Sequence, residues 1–169
     1  MGDDLPGFRL RELAPDDGPA IGRLFDASPD SGMIRFRPSF QIDPYVALMY
    51  DGHQAAVVIE RDGAGGQAGL AGLGLVELGE IMLRGRRTRF ALLHSLVVHP
   101  DVRRRGIARS IIDWRLARAT AALGEDAVIV ATIQKSNAGS FAAASRWATQ
   151  VSSPISSVAV GLPSSAPAA

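Results

Sequence analysis

The first part of the chain alternates apolar and polar residues over Phe8 to Leu13, with the period of two that is typical of a half-buried strand. Pro15-Asp16-Asp17 then gives a helix-start signal, and the helix that it opens is predicted to run to about Ala27 with one apolar face. Residues 28–44 mix prolines with large apolar side chains. They predict a partly helical connection that is more hydrophobic than a plain linker.

Two further strands are predicted in the middle of the chain, over Ala55 to Glu60 and Leu70 to Leu78. Residues 62–67 separate them and have the chemistry of a hairpin turn, so the two strands should form a meander. Gly79 to Arg89 is then predicted to be a basic connection. Its cations are Arg84, Arg86, Arg87 and Arg89.

The second half of the chain predicts a strand, a helix and a strand. Phe90 to Val98 and Ala127 to Ile133 are the apolar runs that strands buried on both faces show. Between them a helix is predicted over 106–123, and Gly124 ends it. Its apolar stripe is Ala108, Ile112, Leu116, Ala119 and Leu123. Because a helix connects the two strands, they should be parallel neighbours at the centre of a mixed sheet, which is an α/β fold.

The end of the chain carries weaker signals. Asn137 is predicted to cap a short helix that carries Phe141, Ala144 and Trp147 or Ala148. Residues 151–162 predict one last short strand or a small hairpin. The Pro/Ser/Ala-rich residues 163–169 predict a disordered tail.

Length and composition exclude several classes of protein. A chain of 169 residues is long enough for a single domain with one core, predicted over residues 1–162. The absence of Cys excludes a disulfide scaffold, and with only three His we expect no metal site. The acidic start lacks the regions of a signal peptide, and no apolar run reaches the roughly 20 residues that span a bilayer. We therefore expect a cytoplasmic protein with no membrane partner, and the net charge of +1 argues against nucleic acid.

An arginine-rich turn joins the apolar strand to the following helix. The first N–H groups of a helix have no intrahelical partner, and the helix dipole adds partial positive charge. Gly106 has no Cβ to hold a phosphate away, and Ala108 keeps the next point of approach small. The turn therefore suits a pyrophosphate, and the alternative is a solvated surface turn. The surrounding cations are Arg103, Arg104, Arg105 and Arg109.

The stretch from Leu96 to Ala108, LVVHPDVRRRGIA, resembles the acetyl-CoA motif of the GNAT family of N-acetyltransferases. In that family a strand ending in Val-x-Pro leads into Gln/Arg-x-x-Gly-x-Gly/Ala and a helix. The order of the predicted elements is also similar, over about residues 8–152. The resemblance implies an N-acyltransferase that moves an acetyl or short acyl group from acetyl-CoA to an amine. The acceptor would be a small molecule, a peptide or a protein, and the chain could form a homodimer.

The resemblance also implies roles for single residues. Backbone groups of Leu96, Val97 and Val98 would pair with the pantetheine arm where two parallel strands part. Asn137 matches an asparagine that contacts the cofactor, and helix capping is a compatible role. The residues implied for the pyrophosphate are Arg103, Arg104, Arg105, Gly106, Ile107, Ala108 and Arg109.

Direct attack of an amine on a thioester needs a base for the amine proton, a stabilised oxyanion and an acid for the thiolate. His94 lies twelve residues before Gly106, where arylalkylamine acetyltransferases of the family carry a histidine. An imidazole pKa near 6.5 suits such a base. The alternative is a structural histidine whose ring bonds a neighbouring carbonyl. Glu77 and Glu80 are rival bases that would act through water.

The family's usual acid is a tyrosine seven residues after the asparagine, where this chain has Ala144. Solvent, Ser140 or Ser145 would then protonate the thiolate. The alanine supports an alternative function, a CoA-binding sensor or partner module without turnover. A third alternative is a module that binds RNA or acidic protein through the arginines of residues 79–89. The lack of aromatic side chains among those arginines argues against it.

Overall fold

The computed structural model describes residues 5–29, 39–49, 54–61 and 69–155 of the chain. These ranges contain five strands, four α-helices and two short 3₁₀ turns, at Pro15–Asp17 and Pro100–Val102. The strands are β1 (Phe8–Glu12), β2 (Gln54–Arg61), β3 (Leu70–Leu83), β4 (Arg86–Val98) and β5 (Val128–Ala131). The helices are α1 (Gly18–Ala27), α2 (Pro44–Leu48), α3 (Ile107–Leu123) and α4 (Ala138–Ala144).

The five strands form one mixed sheet in the order β1-β2-β3-β4-β5. Neighbouring strands pair antiparallel except β4 and β5, which run parallel over Phe90 to Leu93 of β4. The crossover helix α3 connects this pair, as the sequence predicts. The mixed α/β fold and its parallel pair are therefore confirmed. β5 is shorter than the predicted 127–133, and it forms an edge of the described sheet instead of its centre.

Helices cover both faces of the sheet. On one face Ile21 and Leu24 of α1 pack against Leu73 and Leu75 of β3, and all four side chains are buried. On the other face α3 packs against β3 and β4. The buried residues between the sheet and α3 are Ala71, Val76, Ala91, Leu93, Val102, Ile107, Ile111 and Ala119. We call these the α1 face and the α3 face of the sheet.

Two glycines of β3 bring α3 close to the sheet. A Cβ on Gly72 would lie 3.0 Å from Ile107 Cγ2. A Cβ on Gly74 would overlap Ile111 and lie 3.2 Å from Arg115 Cζ. Side chains at these positions would therefore push the helix away, and their absence places Arg115 directly against the backbone of β3.

The buried line of α3 differs from the predicted stripe. It runs along residues four apart, which are Ile107, Ile111, Arg115 and Ala119. Of the predicted stripe, Ile112 and Ala119 are buried, whereas Ala108, Leu116 and Leu123 are only half-buried. The predicted stripe does not include Arg115 because arginine is expected on the solvent side of a helix. Arg115 is 2% exposed.

Residues 79–89 form a hairpin, and the predicted basic connection is wrong. β3 continues to Leu83 and β4 begins at Arg86, so only Arg84 and Gly85 form the turn. Both have positive φ, 50° and 76°, as the tight turns between antiparallel strands require. The charges of this segment suggest a loop. Residues 80–87 are exposed, however, so strand positions there accept arginine without burying its charge.

Two of the hairpin arginines have polar partners, Arg87 within the hairpin and Arg89 on α3. Arg87 Nη1 lies 3.2 Å from a carboxylate oxygen of Glu80. Arg89 Nη2 donates to the Ala122 carbonyl at 2.7 Å, in the last turn of α3. A cation at a helix C-terminus satisfies an unpaired carbonyl and complements the helix dipole. Arg89 therefore has a structural role at the end of α3.

An ion network ties β1 to β2 and to the start of α1. Arg11 donates to both carboxylate oxygens of Asp17, at 2.8 and 2.7 Å, and also bonds Glu60. Asp17 accepts a further hydrogen bond from the Ala14 N–H at 2.7 Å. Because the Arg11 guanidinium bonds both carboxylates, it holds the pKa of Asp17 and of Glu60 below the usual range.

We expect this network to make the fold sensitive to acid. Carboxylates whose pKa is depressed by folding contribute stability above their unfolded pKa of about 4, and lose it as pH falls through the folded values. Asp17→Asn should therefore cost about 2 kcal/mol at neutral pH and less near pH 3, measured by urea unfolding. The exposed Asp16→Asn is the control and should change stability by less than about 0.5 kcal/mol. An equal loss for Asp17→Asn at both pH values would contradict the prediction.

The C-terminal part departs from the sequence prediction in two places. Phe141 of the predicted last helix is 49% exposed on α4, while Trp147 lies beyond the end of α4 and packs against the core. Residues 151–155 have no regular secondary structure. The rest of the strand or hairpin predicted over 151–162 lies outside the described residues, as does the tail 163–169.

Candidate active site

β4 contains a bulge beside the residues that the sequence singles out. Leu73 of β3 lies beside Val97, but Leu75 lies beside His94, so β4 has one extra residue between these two pairs. Ser95, within the bulge, has φ 51°, a left-handed conformation that is uncommon for residues with a side chain. A bulge bends its strand and interrupts pairing with the neighbours.

β4 and β5 part at this bulge. Their parallel pairing ends at Leu93, whereas β4 continues to Val98. Leu96, Val97 and Val98 therefore lie beyond the paired segment, and in the described sheet the strand pairs there with β3 alone. The edge of β4 that faces away from β3 presents a row of backbone groups. An extended ligand can bind such an edge as an added strand would.

The loop after β4 leads to the N-terminus of α3. Val102 is buried and anchors the loop, and Arg103 Nε donates to the Val98 carbonyl at 3.2 Å. Gly106 is the N-cap of α3 with φ 85°, a conformation that favours glycine. Ile107 is buried behind it, so the first amides of the helix are held by the core. The exposed cations around them are Arg103, Arg104, Arg105 and Arg109. Unpaired N–H groups and positive charge fit an anionic group such as a pyrophosphate.

His94 lies on the α1 face of the sheet, because it stands opposite Leu75, which packs on that face. Its Nδ1 is 3.2 Å from Ser95 Oγ, and its Nε2 is buried with no hydrogen-bond partner among the described residues. Burial lowers the pKa of His94, the Glu77 charge opposes that effect and the Arg115 cation strengthens it. The imidazole is therefore neutral near pH 7, as a base must be.

The two rival bases lie at different distances from His94. Glu77 is half-buried two residues beyond Leu75 on β3, and the alternation of the strand places it on the α1 face. Glu80 is exposed on the other face, with its carboxylate 3.2 Å from Arg87. It lies five residues beyond Leu75, which is about 17 Å along an extended strand. The structure brings Glu77 together with His94 and sets Glu80 apart in the hairpin.

The start of α4 contains the predicted cap. The side-chain oxygen of Asn137 accepts from the Ser140 N–H at 3.0 Å, which confirms helix capping. Its role toward a cofactor stays a prediction. Ala144 is half-buried in the last turn of α4. Of the two serines that could replace a tyrosine there, Ser145 donates its hydroxyl to the Phe141 carbonyl at 2.9 Å.

Sequence reasoning missed one side chain of the site, Arg115 in the middle of α3. Its Nη1 donates to the Leu75 carbonyl at 3.2 Å and to the His94 carbonyl at 3.1 Å. The one signal for it in the sequence is its spacing, four residues after Ile111 and four before Ala119. Arginine is almost never fully buried, so this spacing alone predicts a surface position.

The described part of the chain has neither a cluster of metal ligands nor a helix that could span a membrane. Among those residues no group of three or more His, Asp or Glu side chains lies close enough to hold a metal ion. None of the four described helices is long and apolar enough to cross a membrane. The polar groups where β4 and β5 part include backbone groups, the His94 imidazole, the Ser95 hydroxyl and the arginines of the following loop.

The chain belongs to the GNAT family of acetyltransferases. The sequence model of this acetyltransferase (GNAT) family matches residues 22–146, well over half of the chain. The matched range includes β4, the arginine-rich loop and α3, which are the elements that build the site. A search of curated protein sequences finds no significant match.

Solved acetyltransferase structures share the fold. Ribosomal-protein-alanine N-acetyltransferase from Brucella melitensis biovar Abortus 2308 is 19% identical with a TM-score of 0.67, covering 92% of this chain and 99% of that one. An aminoglycoside acetyltransferase from an uncultured soil metagenomic sample, in complex with sisomicin, is 16% identical with a TM-score of 0.66, covering 93% and 97%. Glucosamine-6-phosphate N-acetyltransferase from Arabidopsis thaliana is 15% identical with a TM-score of 0.64, covering 89% and 97%. At these identities the likeness establishes the fold alone.

Proposed function

We propose that the chain is an N-acetyltransferase that transfers an acetyl or other short acyl group from acetyl-CoA to an amine. The observation that carries the proposal is the parting of β4 and β5 at the Ser95 bulge, followed along the chain by the N-terminus of α3. This arrangement offers a backbone edge to an extended arm and a helix start to a pyrophosphate. His94 lies where the two strands part.

The groups that the chain presents fit acetyl-CoA. Backbone groups of Leu96 to Val98 would bind the pantetheine arm, and the amides from Arg104 to Arg109 would hold the pyrophosphate among the loop arginines. Gly106 supports this fit because its φ of 85° favours glycine, so no Cβ of its own stands between the first helix amides and a phosphate. When bound, acetyl-CoA supplies an activated acyl carbon for the amine to attack.

Residues at the bulge would supply the proton and charge chemistry. The neutral His94 imidazole takes a proton from the acceptor amine as the amine attacks. Backbone N–H groups of the bulge, which the extra residue takes out of the regular ladder, donate to the carbonyl oxygen as negative charge develops on it. Ala144 has no proton to give, so solvent or Ser140 protonates the departing thiolate.

The acceptor class is inferred from charge and from proteins of the same fold. Structures that share the fold include acetyltransferases named for a ribosomal-protein alanine, an aminoglycoside and glucosamine 6-phosphate. The Glu77 carboxylate lies on the His94 face and favours a cationic amine over an anionic acceptor. We infer that the acceptor is a small-molecule or peptide amine.

Ala144 supports a second candidate function, a CoA-binding sensor or partner module without turnover. The GNAT family usually has a tyrosine that protonates the thiolate at this position, and this chain has Ala144. Such a module would keep the pyrophosphate site at the start of α3 and would not catalyse acyl transfer. Binding and turnover, measured separately, therefore distinguish the two functions.

Calorimetry with acetyl-CoA, together with thiol release over a panel of amines, tests the proposal. The panel contains an aminoglycoside, glucosamine 6-phosphate, a peptide with N-terminal alanine and an arylalkylamine. An N-acetyltransferase should bind acetyl-CoA with a micromolar or tighter Kd and release thiol with at least one amine faster than by hydrolysis. A sensor should bind equally well and release no thiol with any amine. A folded chain that binds no acetyl-CoA would contradict both functions.

A further inference from the structure

A buried arginine reaches the sheet backbone beside the bulge. Arg115 projects from α3 on the α3 face, and its Nη1 bonds the carbonyls of Leu75 and His94. These two residues face each other across β3 and β4 where the bulge begins. Gly74 makes room for the guanidinium, since a Cβ there would lie 3.2 Å from Arg115 Nε. The cation therefore lies on the opposite side of the sheet from the His94 imidazole.

Packing alone favours an apolar side chain at this position. Its neighbours along the buried line of α3, Ile111 and Ala119, are fully buried and apolar. A buried guanidinium loses hydration that only good hydrogen bonds offset, and Arg115 Nε has no partner among the described residues. Burial lowers the pKa of Arg115 to about 10, which leaves it charged at neutral pH. The charge and the two carbonyl contacts distinguish Arg115 from its neighbours.

We propose that Arg115 is a positioning residue for His94. Its guanidinium holds the carbonyls of His94 and Leu75 at the edge of the bulge, which fixes the peptide that carries the imidazole. Its positive charge adds to the effect of burial, which favours the neutral form of that imidazole. The inference rests on the proposed N-acetyltransferase function, because Arg115 acts through the proposed base.

Few charged groups of the described chain act on His94. Burial lowers the pKa of His94 most, Glu77 of β3 raises it and Arg115 lowers it further. On β4 the neighbour of His94 is the uncharged Ser95, and β5 is apolar over Val128–Ala131. The other charged residues of the two packed helices are exposed, and they are Arg23 and Asp26 on α1 and Arg109, Asp113 and Arg118 on α3. Arg115 is therefore the buried charge whose removal should change the titration of His94.

Titration of the His94 imidazole by NMR measures this coupling without an acetyl donor. Arg115→Met keeps a long stem and removes the charge, so the proton affinity of His94 should rise about three- to tenfold. Arg115→Lys keeps the charge and should leave that affinity within about twofold of wild type. Arg118→Met removes an exposed arginine from the same helix and is the control, with no change expected. His94→Gln identifies the signal among the three histidines.

Kinetics of the same variants separate positioning from a merely structural role. With an active amine, Arg115→Met should move the acidic limb of kcat/KM to higher pH by the same factor. Because the peptide that carries His94 is no longer held, kcat above that limb should also fall about tenfold. The Kd for CoA should stay within about threefold, and Arg115→Lys should restore the wild-type limb.

Three results decide the proposal. A folded Arg115→Met protein whose His94 titrates as in wild type would overturn it. If Arg115→Met does not fold, Arg115→Lys provides the test. A change of more than about threefold in the proton affinity of His94, despite the retained charge, would also overturn the proposal. A shifted titration without acyl transfer to any amine supports the coupling of Arg115 to His94 and overturns the proposed function instead.

Discussion

Replacing His94 with alanine should lower kcat by about 10²- to 10⁴-fold, while the Kd for acetyl-CoA changes only a few-fold. The imidazole lies beside the bulge, and its buried Nε2 has no hydrogen-bond partner among the described residues, so no described group competes for a proton there. Because burial holds its pKa below the usual 6.5, the acidic limb of kcat/KM should lie below that value and be lost in the variant. Steady-state kinetics from about pH 5 to 9 measure both effects.

Variants of Glu77 and Glu80 test the two rival bases. Glu80→Gln, in the exposed hairpin, should keep kcat within about threefold. Glu77→Gln should move the acidic limb to lower pH, because it removes the charge that raises the pKa of His94. A folded His94→Ala protein with wild-type kcat would exclude His94 as the base and leave Glu77. If His94 is only a core residue, the substitution should cost about 1–3 kcal/mol, and activity should fall only with the folded fraction.

The parallel strand pair could be predicted because its signals are local. Phe90 to Val98 is apolar without a break, and a helix of the right length separates it from the next apolar run. Two buried apolar strands that are joined by one helix usually pair in parallel, so few other topologies fit this pattern. The same reasoning placed the motif from Leu96 to Ala108 at the end of a strand and the start of a helix, where the structure has it.

The long hairpin could not be predicted because its strands lie outside the core. Strand prediction rests on apolar residues that alternate or run together, which requires at least one buried face. Residues 80–87 are exposed, and the short apolar run Ile81-Met82-Leu83 is followed by Arg84, Arg86 and Arg87, so charge dominates the pattern there. The turn also lacks the Asn-Gly or Asp-Gly pair that usually signals a hairpin, since Arg84 takes the first left-handed position.

The bulge and its arginine arise from tertiary contacts and leave no local pattern. Ser95 is an ordinary strand residue in the sequence, and only the pairing of β3 with β4 shows that it is the extra one. Arg115 is buried because Gly74, forty-one positions earlier, leaves space for it. A sequence pattern shows neither the register in which two strands pair nor the space that the missing side chain of a glycine leaves. The proposed base was therefore found from the sequence, and the residue proposed to position it was not.

Gly106→Val should weaken acetyl-CoA binding at least about tenfold, which is about 1.4 kcal/mol. Gly106 has φ 85°, where a β-branched residue is strained, and its Cβ would lie 3.1 Å from Leu5 Cδ2. The turn would shift, and the amides at the start of α3 would lose the arrangement that suits a pyrophosphate. Gly124→Val at the other end of α3 is the matched control, because Gly124 has φ 88° and open space around its Cβ. Calorimetry should show weaker binding for Gly106→Val alone. Unchanged binding by a folded Gly106→Val protein, or an equal loss in both variants, would mean that this turn does not hold the pyrophosphate.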